Sequence, residues 1–171
     1  LWVFKRHLAQ LRFLEEEVKE CEKRLTEFAE RDPLMVELMR QPGIGVITAT
    51  LIRAEIGTFT RFKTGKEFAR FCALTPKNAS SGQRQADAGL VKAGNPLLKT
   101  ALIQVGHNLC RYQPEYHERA RRMMAAGKKK GIVVAAMTNR WARRFFYLMR
   151  DFETGRSKSV LTTVEPNTLA H

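Results

Sequence analysis

The chain has 171 residues, enough for one domain with a proper core, or for a domain plus a helical extension. A hydrophobic fraction of 44% fits a folded globular protein, while a formal charge of +13 and a pI near 10.2 call for a polyanionic partner. No apolar run approaches a bilayer span, "LWVFKRHLAQ" lacks the run and cleavage site of a signal peptide, and no lipidation signal accompanies the basic residues, so nucleic acid is favoured over a membrane surface.

The charge is uneven. Residues 1–40 hold nine of the 17 acids against eight Lys and Arg, so the basic excess belongs to the remaining three quarters. Cys21, Cys72 and Cys110 form no C-x-x-C pair and suit free thiols in a reducing compartment. His7, His107, His117 and His171 are as dispersed, and no metal site is legible among them. A soluble, cytoplasmic protein is expected, and the opening Leu1 suggests a piece of a longer one.

Between residues 4 and 28 apolar residues recur at heptad spacing, with Phe4, Leu11, Val18 and Leu25 at a positions and His7, Leu14, Cys21 and Phe28 at d. The spacing predicts a long helix that either packs on its own domain or self-associates as a coiled coil; Glu15 and Lys19 add a favourable i,i+4 pair. Asp32-Pro33, an N-cap followed by Pro at the first helical position, ends this segment (1–32) and opens a helical domain (33–153).

"PLMVELMRQ" is a short helix closed by "PGIG" at residues 42–45, after which "VITATLIRAEIG" carries Ile47, Leu51 and Ile52 at helical spacing and stops at Gly57. This helix-hairpin-helix pattern has two readings. Gly43 and Gly45 permit torsions closed to other residues and leave the next helix's first N–H groups open to a phosphate oxygen, or they are only a tight connection. Thr64 and Glu67 form a capping box ahead of "KEFARFCAL", whose Phe68, Phe71 and Leu74, with Phe62, are expected in the core, stacking on bases being the other use of such rings.

Residues 75–94, rich in Gly, Ser, Asn, Gln and Lys, read as a long loop, which in a compact domain is commonly functional. Asn95-Pro96 starts the helix "LLKTALIQVGHNLCRYQ", and another follows from Pro114 to about Ala126. A last long helix places Val134, Met137, Trp141, Phe145, Leu148 and Phe152 on one face, with Arg143, Tyr147 and Arg150 pointing away toward solvent or phosphate. Residues 154–171 lack periodicity and are expected to be a flexible tail. The fold class is all-α.

Acids are sparse beyond the first helices, and no two form a metal-binding dyad. Ser81, His107 and Asp87 could be drawn as a triad, but no G-x-S-x-G follows a strand, and neither a P-loop nor a dinucleotide fingerprint occurs. What remains is a serine on a polar loop flanked by Lys77, Arg84, Lys92 and Lys99. A hydroxyl attacking phosphorus needs cations around the developing charge and a base, and the loop offers only the former. On residue type alone, Ser80 and Ser81 beside Gly82 are ordinary turn residues.

The stretch "QPGIGVITATLIRAEIGTFTRFKTGKEFARFCALTPKNASSGQRQADAGLVKAGNPLLKTALIQVGHNL" resembles the C-terminal transposase domain of the insertion-sequence-110 family of mobile-element recombinases. The likeness rests on the ordered series P-G-I-G, E-I-G, R-F, L-T-P, S-G and K-x-G-N-P, and extends from about Met39 through "GKKKGIVVAAMTNRWARRFFYLMRD". It implies an N-terminal ribonuclease-H-like domain, absent here, whose four acidic residues bind magnesium, then a coiled coil matching residues 1–30. It implies that Ser81 is the nucleophile and forms a covalent phosphoserine with DNA, released by a 3′ hydroxyl without ATP. In some members a structured guide RNA pairs with target and donor.

The Gly-Arg-Ile usual in that family before K-x-G-N reads Ala88-Gly89-Leu90 here, which puts in doubt one phosphate contact that the resemblance implies. Expected DNA contacts are Gly43, Gly45, Lys77, Arg84, Lys92, Asn95, Lys99 and Arg143, in a homo-oligomer whose acidic site comes from another protomer. The competing readings are a non-catalytic helix-hairpin-helix DNA-binding module and a homodimeric scaffold.

Overall fold

The computed structural model describes residues 1–76, 80, 81, 84, 85, 90 and 94–156. Most of the expected tail therefore lies outside the described residues. Helix α1 spans Trp2–Ala29 and is followed by α2 (Pro33–Met39), where the Asp32 carboxylate accepts from the Leu34 N–H at 2.9 Å and the Met35 N–H at 3.4 Å. Helix α3 (Val46–Ile56) ends at Gly57, and a 3₁₀ turn, Phe59–Arg61, leads to α4 (Gly65–Phe71). The expected capping box is present in a shifted form: Thr64 Oγ1 accepts from the Glu67 N–H, and the Glu67 carboxylate reaches back past the N-cap to the Lys63 N–H at 2.9 Å.

Helices α5 (Pro96–Tyr112), α6 (Pro114–Ala125) and α7 (Lys130–Glu153) complete the bundle. The fold is all-α, with one small departure. Within the segment read as a loop, β1 (Ser80–Ser81) pairs antiparallel with β2 (Arg84–Gln85), and Pro76 bridges to Leu90. Two-residue strands are too short to show alternation, so no strand pattern could announce them.

The centre of the fold is α7, which packs against α2, α4, α5 and α6. A helix contacted on several sides needs a wide apolar face, and Val133, Thr138, Ala142, Phe146 and Met149 are buried beside the expected Val134, Met137, Trp141 and Phe145. Leu148 was expected in this stripe, yet it is 46% exposed because Met149 and Phe145 fill the position facing the core. Nor does Arg150 point away. It is half-buried, with its guanidinium over Phe146 and Tyr147 at 5.4 and 5.0 Å from the ring centroids.

Phe62 and Phe68 are core as expected, whereas Phe71 is half-buried against them and Phe4, Phe13 and Phe28 on α1 are exposed. Phe59, Phe62, Phe68, Phe145 and Phe146 form one ring cluster with centroid separations of 5.5–6.4 Å, and Trp141 stacks on Phe145 at 4.6 Å. In α3 the buried stripe is Ala49, Ile52 and Ile56, whereas Ile47 is 57% exposed. At about 100° per residue, Ile47 stands roughly 140° around the helix from Ile52, so the two cannot share the core face.

Residues 1–20 of α1 are exposed throughout. Only the C-terminal end touches the domain, through half-buried Glu22 and Leu25 and buried Ala29, where α1 meets α2 and α3. Packing on its own domain therefore covers only these last turns of the heptad stripe; Phe4 is 68% exposed and Val18 is 55% exposed.

Candidate nucleic-acid interface

Two elements position the residues singled out above. The first is the turn between α2 and α3. The Ile44 N–H donates to Gln41 O at 3.1 Å, with Pro42 and Gly43 central and Gly43 at φ +81°, the arrangement of a type II turn. Pro presets the first central position, and Gly43 supplies the positive φ that the second demands. A Cβ there would also meet Asn108 Cβ at 3.3 Å, so the turn lies close against α5.

Gly45 differs from the expectation. Its backbone is extended (φ −94°, ψ 179°) and a Cβ would meet nothing within 4 Å, so neither torsion nor space requires glycine. Its contribution is the lack of a side chain. As N-cap of α3 it offers the first-turn N–H groups no capping oxygen, leaving those donors without a side-chain partner.

The second element is the segment carrying Ser81, whose two ends meet at the C-terminus of α4. There the Leu74 N–H bonds Ala69 O at 2.9 Å and the Ala73 N–H bonds Arg70 O at 3.0 Å, a Schellman pattern with Ala73 at φ 54°. Asn139 Nδ2 donates to Leu74 O at 3.0 Å and ties this exit to α7. The returning chain is packed tightly: Gly94 has φ +125°, and a Cβ on it would come within 2.8 Å of Phe71 O and Ala73 Cβ. The Asn95 N–H then donates to Phe71 O at 2.9 Å.

Asn95 is heavily used by the fold. Its Oδ1 accepts from the Leu97 and Leu98 N–H groups at 2.9 and 3.1 Å, capping α5, and its Nδ2 donates to the Glu55 carboxylate on α3. Sequence reasoning offered Asn95 as a DNA contact and missed Glu55. The signal was the E-I-G element, whose Glu faces the K-x-G-N-P element across the root of the segment.

Between these anchors the register sets Ser81 opposite Arg84 and Ser80 opposite Gln85. Lys77, Asp87 and Lys92 lie outside the described residues. Lys99, half-buried, stands one turn into α5 from Asn95, and Arg143 is exposed where α7 crosses α4, its carbonyl 2.8 Å from where a Gly65 Cβ would be. Among the described residues no three His, Cys, Asp or Glu side chains are grouped to hold a metal. None of the described helices is long and apolar enough to cross a membrane.

Burial opposes ionisation of Asp32, but its bond to Arg53 (2.7 Å), the Leu34 and Met35 N–H groups and the Arg53 charge together hold the carboxyl below the usual aspartate range. Burial pushes the Cys72 thiol up to about 12, which makes it a packing residue rather than a nucleophile.

Comparison with known proteins places these elements in context. The sequence model described as transposase IS116/IS110/IS902 family matches residues 35–121, from α2 through most of α6. The chain is 26% identical over 143 residues to a probable family 20 transposase of Pseudomonas aeruginosa, covering 82% of this chain and 42% of that protein. It is 34% identical over 71 residues to the transposase for insertion sequence element IS1111A of Coxiella burnetii, covering 42% and 20% respectively. An insertion element IS110 protein of 43.6 kDa from Streptomyces coelicolor is 25% identical over 143 residues, covering 84% and 35%. The chain thus spans at most about two fifths of the length of these relatives. With the turn, the Ser81 segment and α5 all inside a match that takes in just over half of its residues, the chain belongs to the transposase IS116/IS110/IS902 family.

Proposed function

We propose that this chain is the DNA-handling and nucleophile-bearing part of a transposase that cuts and exchanges strands through a covalent phosphoserine at Ser81. The observation that carries the reading is the anchored segment. Its ends are pinned by Gly94 on Ala73 and by Asn95 on Phe71 and Glu55, and within it Ser81 pairs with Arg84. A nucleophile on an arm rooted in the core can reach a phosphate outside the bundle while its origin stays fixed.

In the proposed step the Ser81 hydroxyl gives up its proton, an Oγ–P bond forms, and the P–O3′ bond breaks to leave a 3′ hydroxyl. A second strand's 3′ hydroxyl reverses the exchange, restoring the phosphodiester and the serine hydroxyl, so no nucleotide cofactor is consumed. Arg84, Lys77 and Lys92 neutralise the phosphoryl oxygens, and the first turn of α3 with Gly43 makes a second phosphate contact. The proton acceptor and any magnesium are assigned to an acidic domain beyond this chain. The heptad face of α1, uncovered along residues 1–20, pairs with a second copy, and a guide RNA is a further partner.

The test is strand exchange by this chain joined to its native acidic domain, on a plasmid carrying the element's ends. Ser81→Ala is expected to abolish both recombinants and the detergent-resistant protein–DNA adduct, and Ser80→Ala to retain them. The reverse result overturns the assignment, and an active protein that never yields an adduct overturns the phosphoserine chemistry. A non-catalytic DNA-binding module would show binding alone in every context.

A further inference from the structure

A second basic feature lies away from the Ser81 segment, in a cleft of roughly 420 Å³ where α5 and α6 diverge and the first turns of α7 close the end. Its floor is apolar, formed by buried Ala120, Val133 and Val134, with the exposed Met124 at its edge. Its rim is cationic and imidazole-rich, with His107 and Arg111 from α5, His117 and Arg121 from α6, and Lys130 from α7. No Asp or Glu lines it among the described residues. Arg121 is already held by Glu118 at 3.0 Å, whereas Arg111 and Lys130 make no ion pair among the described residues. His117 Nδ1 lies 2.9 Å from Cys110 O; a carbonyl only accepts, so Nδ1 carries the proton and Nε2 is left for another partner.

We propose that this cleft binds an unpaired nucleotide of a single strand, the base lying on the apolar floor and its phosphates held by Arg111 and Lys130. The combination selects that occupant. A duplex presents a continuous anionic backbone with its base faces stacked away, and would leave the recessed apolar floor unused; an unpaired nucleotide supplies both a flat apolar face and a charge. The volume suits a group of about that size. The cleft also borders the α2–α3 turn, since Asn108 lines both the cleft and the hollow beside Gly43. His107 lies twelve residues along α5 from Asn95, about 18 Å, so a strand held here is separated from the root of the Ser81 arm by several nucleotides.

This inference rests on the nucleic-acid part of the proposed function and not on the serine chemistry. The test is fluorescence anisotropy with the 171-residue chain and labelled 12-nucleotide DNA, the same sequence as RNA, and the DNA duplex, across a salt series. Single strands should bind more tightly than the duplex, and the DNA and RNA arms report which sugar the cleft prefers. Arg111→Gln with Lys130→Gln should weaken single-strand binding about tenfold or more and lower the salt slope by about one per cation removed. Lys5→Gln with Arg12→Gln, the same charge change on exposed α1 residues that make no ion pair among the described residues and lie outside the cleft, should change affinity less than about twofold. Equal losses from the two pairs, or tighter binding of duplex, overturn the proposal. Thermal melts of each variant exclude unfolding. Binding that survives Ser81→Ala while adduct formation is lost separates this site from the recombination reading.

Discussion

The crossing of α5 on α7 depends on Gly106. A Cβ there would lie 1.8 Å from Thr138 Oγ1 and 3.1 Å from Thr138 Cβ, and Thr138 is fully buried. Thr138 cannot simply turn aside, because its hydroxyl donates to Val134 O at 2.8 Å. Rotating it loses that bond and buries an unpaired hydroxyl, which costs about 1–3 kcal/mol. The tight Cβ approach then forces the helices apart, at about 1–3 kcal/mol for overpacking. Against this, Ala gains about 1 kcal/mol over Gly in a helix interior. Gly106→Ala should therefore destabilise by about 1–5 kcal/mol, lowering Tm by roughly 2–4 °C for each kcal/mol in a chain of this size. Paired with Thr138→Ala it should recover part of the loss, with a coupling of at least about 1 kcal/mol in a double-mutant cycle. Urea melts followed by circular dichroism measure both quantities. A Gly106→Ala variant as stable as the parent, or additive with Thr138→Ala, would refute the close crossing. The same crossing sets the distance between two walls of the basic cleft, so single-strand affinity measured well below Tm should fall with Gly106→Ala and rise again in the double variant.

Gly45→Asp should separate stability from binding: the carboxylate caps the open N–H groups of α3 and stabilises by up to about 1 kcal/mol, yet DNA affinity falls because it occupies the proposed phosphate position. Unchanged affinity removes that contact from the interface. Gly43→Ala, by contrast, should cost about 1–2 kcal/mol from its positive φ alone, read from the same melts. For Asp32 the folded carboxyl titrates below its unfolded value, so its contribution is present above the ordinary aspartate range near 4 and is lost as pH falls through the folded value. Asp32→Asn keeps a capping oxygen but loses the charge facing Arg53, so its stability should depend less on pH in that acidic window; parallel pH profiles would exclude the linkage. Finally, Cys21 is exposed at a d position of α1, Cys72 is buried, and Cys110 is half-buried with burial opposing its ionisation, so mild oxidation should join parallel copies mainly through Cys21, and Cys21→Ser should abolish the crosslink. A chain that stays monomeric and uncrosslinked would leave the α1 stripe without its proposed partner.

Local chemistry made much of the fold legible. The caps at Asp32, Thr64 and Asn95 each need only a few neighbouring residues, and all three helices begin where those signals stand. What the sequence hid depends on contacts made across the chain. Gly65 and Gly106 look like weak points within helical runs, and only the carbonyl of Arg143 and the hydroxyl of Thr138 explain them. Ala73 ends α4 in a left-handed conformation usually marked by glycine, so the helix appeared to run on to Leu74. The cleft joins residues 107, 117 and 130 from three helices, a grouping that no linear spacing displays.

The motifs that carry the family likeness divide along the same line. P-G-I-G makes a turn whose Gly43 rests on Asn108; E-I-G supplies the Glu55 that meets Asn95; K-x-G-N-P supplies a glycine with no room for a side chain and an asparagine committed to a cap. These residues lie where DNA contacts were sought, yet each has a structural use. Substituting them would disturb the anchoring of the arm before it disturbed any phosphate. Loss of recombination in an Asn95 or Glu55 variant is therefore ambiguous by itself, whereas Lys99 and Arg143, half-buried and exposed, can be neutralised with little effect on packing. The functional reading is best tested at positions the fold does not need, and that criterion also selects Arg111 and Lys130 over Arg121, whose guanidinium is already held by Glu118.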